Sequence, residues 1–123
     1  MISFDGFIME NGEPIYRQIL LYIKRGVVAG KIVDGDELPS RRLLSALLGV
    51  NPNTVQKAYR ILEEEGLVQS HSGAKSYMVL DENKAASIRA ELVEEEAKNS
   101  LERLKSMGLN REEVMALVDK YWR

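Results

Sequence analysis

Residues 38–77 read LPSRRLLSALLGVNPNTVQKAYRILEEEGLVQSHSGAKSY, and this stretch decides the fold. It carries the signals of a helix, a three-residue turn, a second helix and a two-stranded ribbon. Ser40 is a good N-cap; Leu43, Leu44, Leu47 and Leu48 are the expected buried side of the helix it opens, and Gly49 is its stop. Asn51 then caps a helix whose first position is Pro52, where the missing N–H is no loss. Val55, Ala58, Tyr59 and Leu62 recur on one face of that helix, and Asn53, Gln56, Lys57 and Arg60 share the other. Gly66 ends it. Leu67-Val68 and Tyr77-Met78-Val79-Leu80 read as strands joined through Ser70 to Ser76, with Gly73 at the turn.

Upstream, Pro14 suits the first turn of a helix whose apolar face is Ile15, Ile19, Tyr22, Ile23 and Val27, with Gly30 as its stop. Asp34-Gly35-Asp36 is a turn signal. Downstream, Lys84 to Met107 reads as a helix of 24 residues, about 36 Å at 1.5 Å per residue. Its stripe is Ile88, Leu92, Val93, Ala97, Leu101 and Leu104. Gly108 breaks it, Asn110 and Glu113 form a capping box, and Val114, Leu117, Val118 and Tyr121 mark a last short helix. The expected fold is mainly α with a small β wing (α+β): a winged helix-turn-helix domain over 1–80 and a helical tail over 81–123.

A chain of 123 residues with 45% apolar and 29% charged content is one domain with a modest appendage. The absence of cysteine excludes disulfides and thiolate chemistry and fits a reducing cytoplasm. No apolar run reaches the length of a membrane span, and residues 1–10 lack the pattern of a signal peptide. His71 is the only histidine, which excludes a His-rich metal site, and no spacing favours Asp5, Asp34 or Asp36 as ligands. No Ser/His/Asp set, P-loop or dinucleotide fingerprint is present, so neither catalysis nor a cofactor is expected.

The net charge of −2 makes no electrostatic case for nucleic acid, but its distribution does. Between Leu38 and Leu62 there is no Asp or Glu, while Arg41, Arg42, Lys57 and Arg60 fall inside the gap. In the major groove Asn and Gln suit adenine, and Arg and Lys suit guanine. Asn53, Thr54, Gln56 and Lys57 supply that chemistry at the start of the second helix of the pair. The run Glu63-Glu64-Glu65 would repel phosphates, which leaves only the first half of the helix for the groove; its plainer reading is a solvated helix end. Arg41 and Arg42 could equally be surface charges, and Asn53 and Thr54 are good first-turn residues for local reasons. Tyr16, Tyr22 and Tyr59 read as packing.

Pro14-Ile15-Tyr16 with Gln18-Ile19, Gly35-Asp36 with Leu38-Pro39-Ser40-Arg41-Arg42, and Asn51-Pro52-Asn53-Thr54-Val55-Gln56-Lys57-Ala58-Tyr59 together resemble the GntR family of bacterial transcription regulators. The short tail resembles that of its YtrA-type branch. The resemblance implies DNA contacts from Ser40 and Arg42 at the start of the first helix of the pair, and from Asn53, Thr54, Lys57 and Arg60 on the second. The chemistry of the residues themselves adds Arg41 and Gln56, and Gly73 with Lys75 marks the candidate wing contact. The wing departs from the family's two basic residues followed by Gly-x-Gly-Thr-Phe/Tyr-Val. His71 and Ser72 replace the bases, Lys75 the second Gly, Ser76 the Thr and Met78 the Val.

The tail reads either as a cover for the domain's own core or as a dimerisation arm. Its length favours the arm, with Ile88, Leu92, Val93, Leu101, Leu104, Val114, Leu117, Val118 and Tyr121 as the contact set. A two-fold dimer suits half-sites about one turn of DNA apart. The expectation is thus a cytoplasmic homodimeric repressor on an inverted-repeat operator, away from membranes, with room for a small-molecule effector. The rival readings are a winged-helix module that binds protein, and an effector sensor whose DNA affinity is incidental. A face of Asn, Gln, Lys and Arg without exposed aromatics speaks against a protein hot spot.

Overall fold

The structure, a computed structural model, describes residues 1–71 and 75–123. Gly73, expected at the wing turn, lies outside the described residues. The chain forms two compact units, Met1–Arg89 and Ala90–Arg123. Their division falls inside a helix and not at the expected 80/81.

In the first unit, α1 (Ile15–Val28) buries Ile19, Ile23 and Val27 at the predicted spacing. Pro14 sits just outside, at the N-cap position, one residue earlier than expected. β1 (Glu37–Leu38) follows, then α2 (Arg41–Leu48) and α3 (Pro52–Glu64). Ser40 Oγ accepts from Leu43 N at 3.0 Å, and Asn51 Oδ1 accepts from Asn53 N at 2.8 Å, so each helix begins on a side-chain cap. Between them Gly49 takes φ +67, the left-handed conformation that lets the chain reverse after α2. β2 (Val68–Ser70) and β3 (Ser76–Met78) form the ribbon, both set nearer the turn than expected: β2 runs on to Ser70, and β3 starts at Ser76 and stops at Met78, short of Leu80. The sheet is antiparallel in the order β1-β3-β2, with Leu38 opposite Ser76 and Val68 opposite Met78.

Three features differ from expectation. β1 is an added strand, invisible in sequence because its two residues pair with partners nearly forty positions away. Residues 1–13, to which the sequence reading assigns no element, bury Ile2 and Phe4. Phe4 stacks on Tyr22 at 4.8 Å, Phe7 meets both rings edge-on, and Tyr22 Oη donates to Ser3 O at 2.8 Å. The side chain of Gln18 clasps Glu10 through its N and its O, at 2.8 and 2.9 Å. Finally, α2 buries only Leu44 and Ser45 fully, while Leu43 and Leu47 are exposed by 39% and 64%. The expected four-leucine face is therefore corrected: a helix of eight residues packed on one side shows its neighbours a stripe narrower than two leucine pairs.

Gly26, in the last turn of α1, has a packing reason. A Cβ there would come within 2.5 Å of Ile32 Cδ1, and Ile32 is itself buried. Gly26→Ala gains about 0.5–1 kcal/mol of helix propensity but overpacks at a cost of roughly 1–3 kcal/mol. A net loss of roughly 1 kcal/mol in thermal unfolding is expected. In an Ile32→Ala background, which lacks both Cδ1 and the Cγ1 that would lie at 2.9 Å, the same substitution should become neutral or favourable.

α4 (Glu82–Ser106) starts in the first unit, where Lys84 Nζ donates to Gly66 O at 2.7 Å and Ile88 is buried. Within the second unit the rest of α4 is followed by Gly108 and α5 (Arg111–Tyr121). The predicted capping box is present: Glu113 N donates to Asn110 Oδ1 at 2.9 Å and Asn110 N to Glu113 Oε1 at 3.1 Å. Val93, Leu101, Leu117, Val118 and Tyr121 are exposed, Leu92 and Leu104 are half-buried, and Val114 is buried. Ile88 and Val114, expected in the intersubunit set, are buried within the single chain. No helix among the described residues is long and apolar enough to cross a membrane.

Candidate nucleic-acid interface

The helix pair is built around α3. Val55, Ala58, Tyr59 and Leu62 are fully buried, which turns Asn53, Gln56, Lys57 and Arg60 to solvent as the helical period requires; Thr54 is half-buried. The turn leading into α3 is held by a residue that had no assigned role. Ser45 donates its hydroxyl to Val50 O, while its own carbonyl accepts from Val50 N at 3.1 Å. The turn is thereby tied to the body of α2.

Two of the outward side chains have neighbours. Lys57 Nζ lies 4.1 Å from the ring centroid of Tyr16 on α1, a cation–π distance. Tyr16 was read only as packing, and no spacing rule links it to Lys57. Arg60 Nε lies 3.9 Å from Glu64 Oε1, with both side chains more than half exposed, so the pair contributes little. Arg42, on the first turn of α2, is exposed and makes no ion pair among the described residues. Ser40 spends its hydroxyl acceptor on the cap. Lys75 is exposed beside β3, and its carbonyl accepts from His71 N at 2.9 Å.

Arg41 differs from the expectation. Its guanidinium turns inward, with Nη2 2.8 Å from Glu63 Oε1, Nη1 3.5 Å from Ser76 Oγ, and Cζ 5.2 Å from the centroid of Tyr59. Arg41, expected among the DNA contacts, has its charge paired with Glu63 in the free protein. The acidic run, read as a solvated helix end, is engaged in ion pairs with other elements at two of its three members. Glu63 also accepts from Ser70 Oγ at 2.9 Å, and Glu65 pairs with Lys24 Nζ at 2.9 Å. Burial pushes the Tyr59 phenol far above its ordinary range, and the nearby Arg41 charge offsets only part of this. Neutral Tyr59 donates to Pro39 O at 2.7 Å, pinning the approach to α2.

The surface is thus polar and basic, mounted on a helix whose other side is locked into the core. Such an arrangement can donate and accept hydrogen bonds at base edges and phosphates. Among the described residues no group of three or more His, Asp or Glu side chains could hold a metal ion.

Comparison with known proteins agrees with this geometry. The transcriptional repressor YtrA of Bacillus subtilis is 40% identical over 78 residues, which are 63% of this chain and 58% of YtrA. The structure resembles a GntR family transcriptional regulator from Listeria monocytogenes, with a TM-score of 0.79 and 32% identity, covering 91% of this chain and 98% of that one. It also resembles the DNA-binding domain of AraR in complex with operator ORX1, with a TM-score of 0.51 and 28% identity, covering 63% and 93%. Residues 15–77, which contain the whole helix pair and all of the ribbon but Met78, match the bacterial regulatory proteins of the gntR family. The chain belongs to that family, as a DNA-binding transcription regulator built on a winged helix-turn-helix.

Proposed function

We propose that this chain is a cytoplasmic homodimeric repressor that binds an inverted-repeat operator with α3 in the major groove. The observation that carries the reading is the strict division of α3, with four fully buried side chains behind and Asn53, Gln56, Lys57 and Arg60 in front. Asn53, Gln56 and Lys57 select sequence. Ser40, Arg42, Thr54, Arg60 and Lys75, with the helix N-termini, supply backbone contacts and affinity. The protein acts by binding and not by catalysis. YtrA's description as a repressor and AraR's complex with its operator support the reading.

The dimer rests on the second unit. Val93, Leu101, Leu117, Val118 and Tyr121 expose more apolar side chain than a solvated helical pair needs. An effector has room in the first unit, in a cavity of about 660 Å³ lined by Ile2, Tyr22, Arg25, Gly26, Ile32 and Asp36 among others. That volume is within the range of small-molecule sites.

The test is an anisotropy titration against a library of duplexes at two salt concentrations. Selection of a palindromic site, with affinity falling steeply in salt, is the expected result. Binding that is weak and indifferent to sequence would favour a protein-interaction module instead. In the same assay Lys57→Ala should relax preference at one base position by about 1–3 kcal/mol. Uniform weakening across sequences, with the salt slope reduced by about one unit, would make Lys57 a phosphate contact.

A further inference from the structure

We infer that Arg41 and Glu63 are positioning residues for operator recognition: their ion pair sets the pose of the β2–β3 wing against α2 and α3. The inference rests on the reading that this unit binds an operator.

The bonds form a chain through every part of the DNA-binding unit that carries a proposed contact. Arg41, on the first turn of α2, reaches Glu63 near the end of α3 at 2.8 Å. The same Glu63 oxygen accepts from Ser70 on β2 at 2.9 Å. Ser70 and Ser76 share a hydroxyl–hydroxyl bond of 3.1 Å across the ribbon, and Ser76 returns to Arg41 at 3.5 Å. Beneath the guanidinium lies Tyr59, whose own hydroxyl holds Pro39 just ahead of α2. Ser76 and Tyr59 are fully buried, so the ring is anchored in the core.

β2 is an edge strand of three residues, paired on one side by β3. The Glu63–Ser70 bond is its side-chain tie to α3, and Arg41 holds Glu63 in place to make it. Arg41 does this at a cost, because its Nε is buried without a partner among the described residues. Recognition surfaces lose affinity when supporting side chains allow shifts of an ångström or less, so a loosened wing should be read at the operator.

The sign of the effect separates positioning from simple charge. Glu63→Gln removes an acidic group beside a polyanion-binding surface, so long-range electrostatics alone predicts tighter binding. Positioning predicts weaker binding, by about threefold to fivefold. Arg41→Gln should weaken binding to a similar extent with the salt slope unchanged, and the double variant should cost no more than either single one. Operator titrations of the unsubstituted chain and the three variants, on samples shown by thermal unfolding to be folded, provide the test. Amide hydrogen exchange in β2 and β3 should quicken in each variant without DNA.

Equal or tighter binding by Glu63→Gln would overturn the positioning role while leaving the operator reading intact. A slope reduced by about one unit in Arg41→Gln would make that residue a phosphate contact and overturn the role as well. Absence of sequence-selective binding by the unsubstituted chain would instead overturn the operator reading, and this assignment with it.

Discussion

Replacement of Arg42 by alanine should weaken operator binding at least tenfold and leave thermal stability almost unchanged. Arg42 stands on the first turn of α2, exposed and without an ion-pair partner among the described residues, so folding does not depend on its charge. Surface substitutions of this kind shift stability by roughly 0.5 kcal/mol or less. A hydrogen bond to a charged group contributes about 1.5–3 kcal/mol, and 1.4 kcal/mol is already a tenfold change in affinity. The contrast with Arg41 is informative. The two side by side have the same chemistry, yet one is committed to Glu63 and the other is free for a phosphate. Titration of Arg42→Ala against the selected duplex checks the expectation, and unchanged affinity would remove Arg42 from the interface.

The double substitution Leu101→Asp with Val118→Asp should convert a dimer to a monomer and lower operator affinity by about 10²-fold or more. Both side chains are more than two-fifths exposed in the single chain. A charge buried at an apolar interface without a partner costs several kcal/mol. Tethered engagement of two half-sites raises affinity by about 10²–10⁴ over one alone, and this factor is what a monomer forfeits. Sedimentation velocity reads the first effect and anisotropy the second. A chain that stays dimeric with both aspartates in place would show that the second unit is not the contact surface.

The elements that sequence made legible are those with local causes. Ser40, Asn51 and Asn110 cap their helices through bonds to residues two or three positions on, and such bonds are written in the neighbouring letters. The two faces of α3 were legible for the same reason, since a period of 3.6 needs no distant partner. What escaped is non-local. β1 exists because Glu37 and Leu38 meet Tyr77 and Ser76, and nothing around residue 37 announces them. Ile2 and Phe4 are buried by distant partners, Phe4 against the Tyr22 ring and Ile2 where its N–H donates to Glu37 O. Arg41 and Arg42 are identical letters in one motif, and their opposite directions are decided by Glu63, 22 residues away. The same applies to the acidic run, whose members were read together although Glu63, Glu64 and Glu65 face three different neighbours.

Lys57 shows what a contact outside the interface can do for it. A lysine stem carries about 2 kcal/mol of rotamer entropy, and immobilising such a side chain on binding typically costs about 0.5–1.5 kcal/mol. With its ammonium 4.1 Å from the Tyr16 ring, Lys57 has surrendered part of that freedom when the domain folds. On the proposed reading, the free protein meets its first duplex with this side chain already ordered over Tyr16, and the ordering is part of the folding equilibrium, where cooperative packing absorbs it. Tyr16, a residue of α1, thus shortens the list of conformations through which α3 must search at each encounter with DNA.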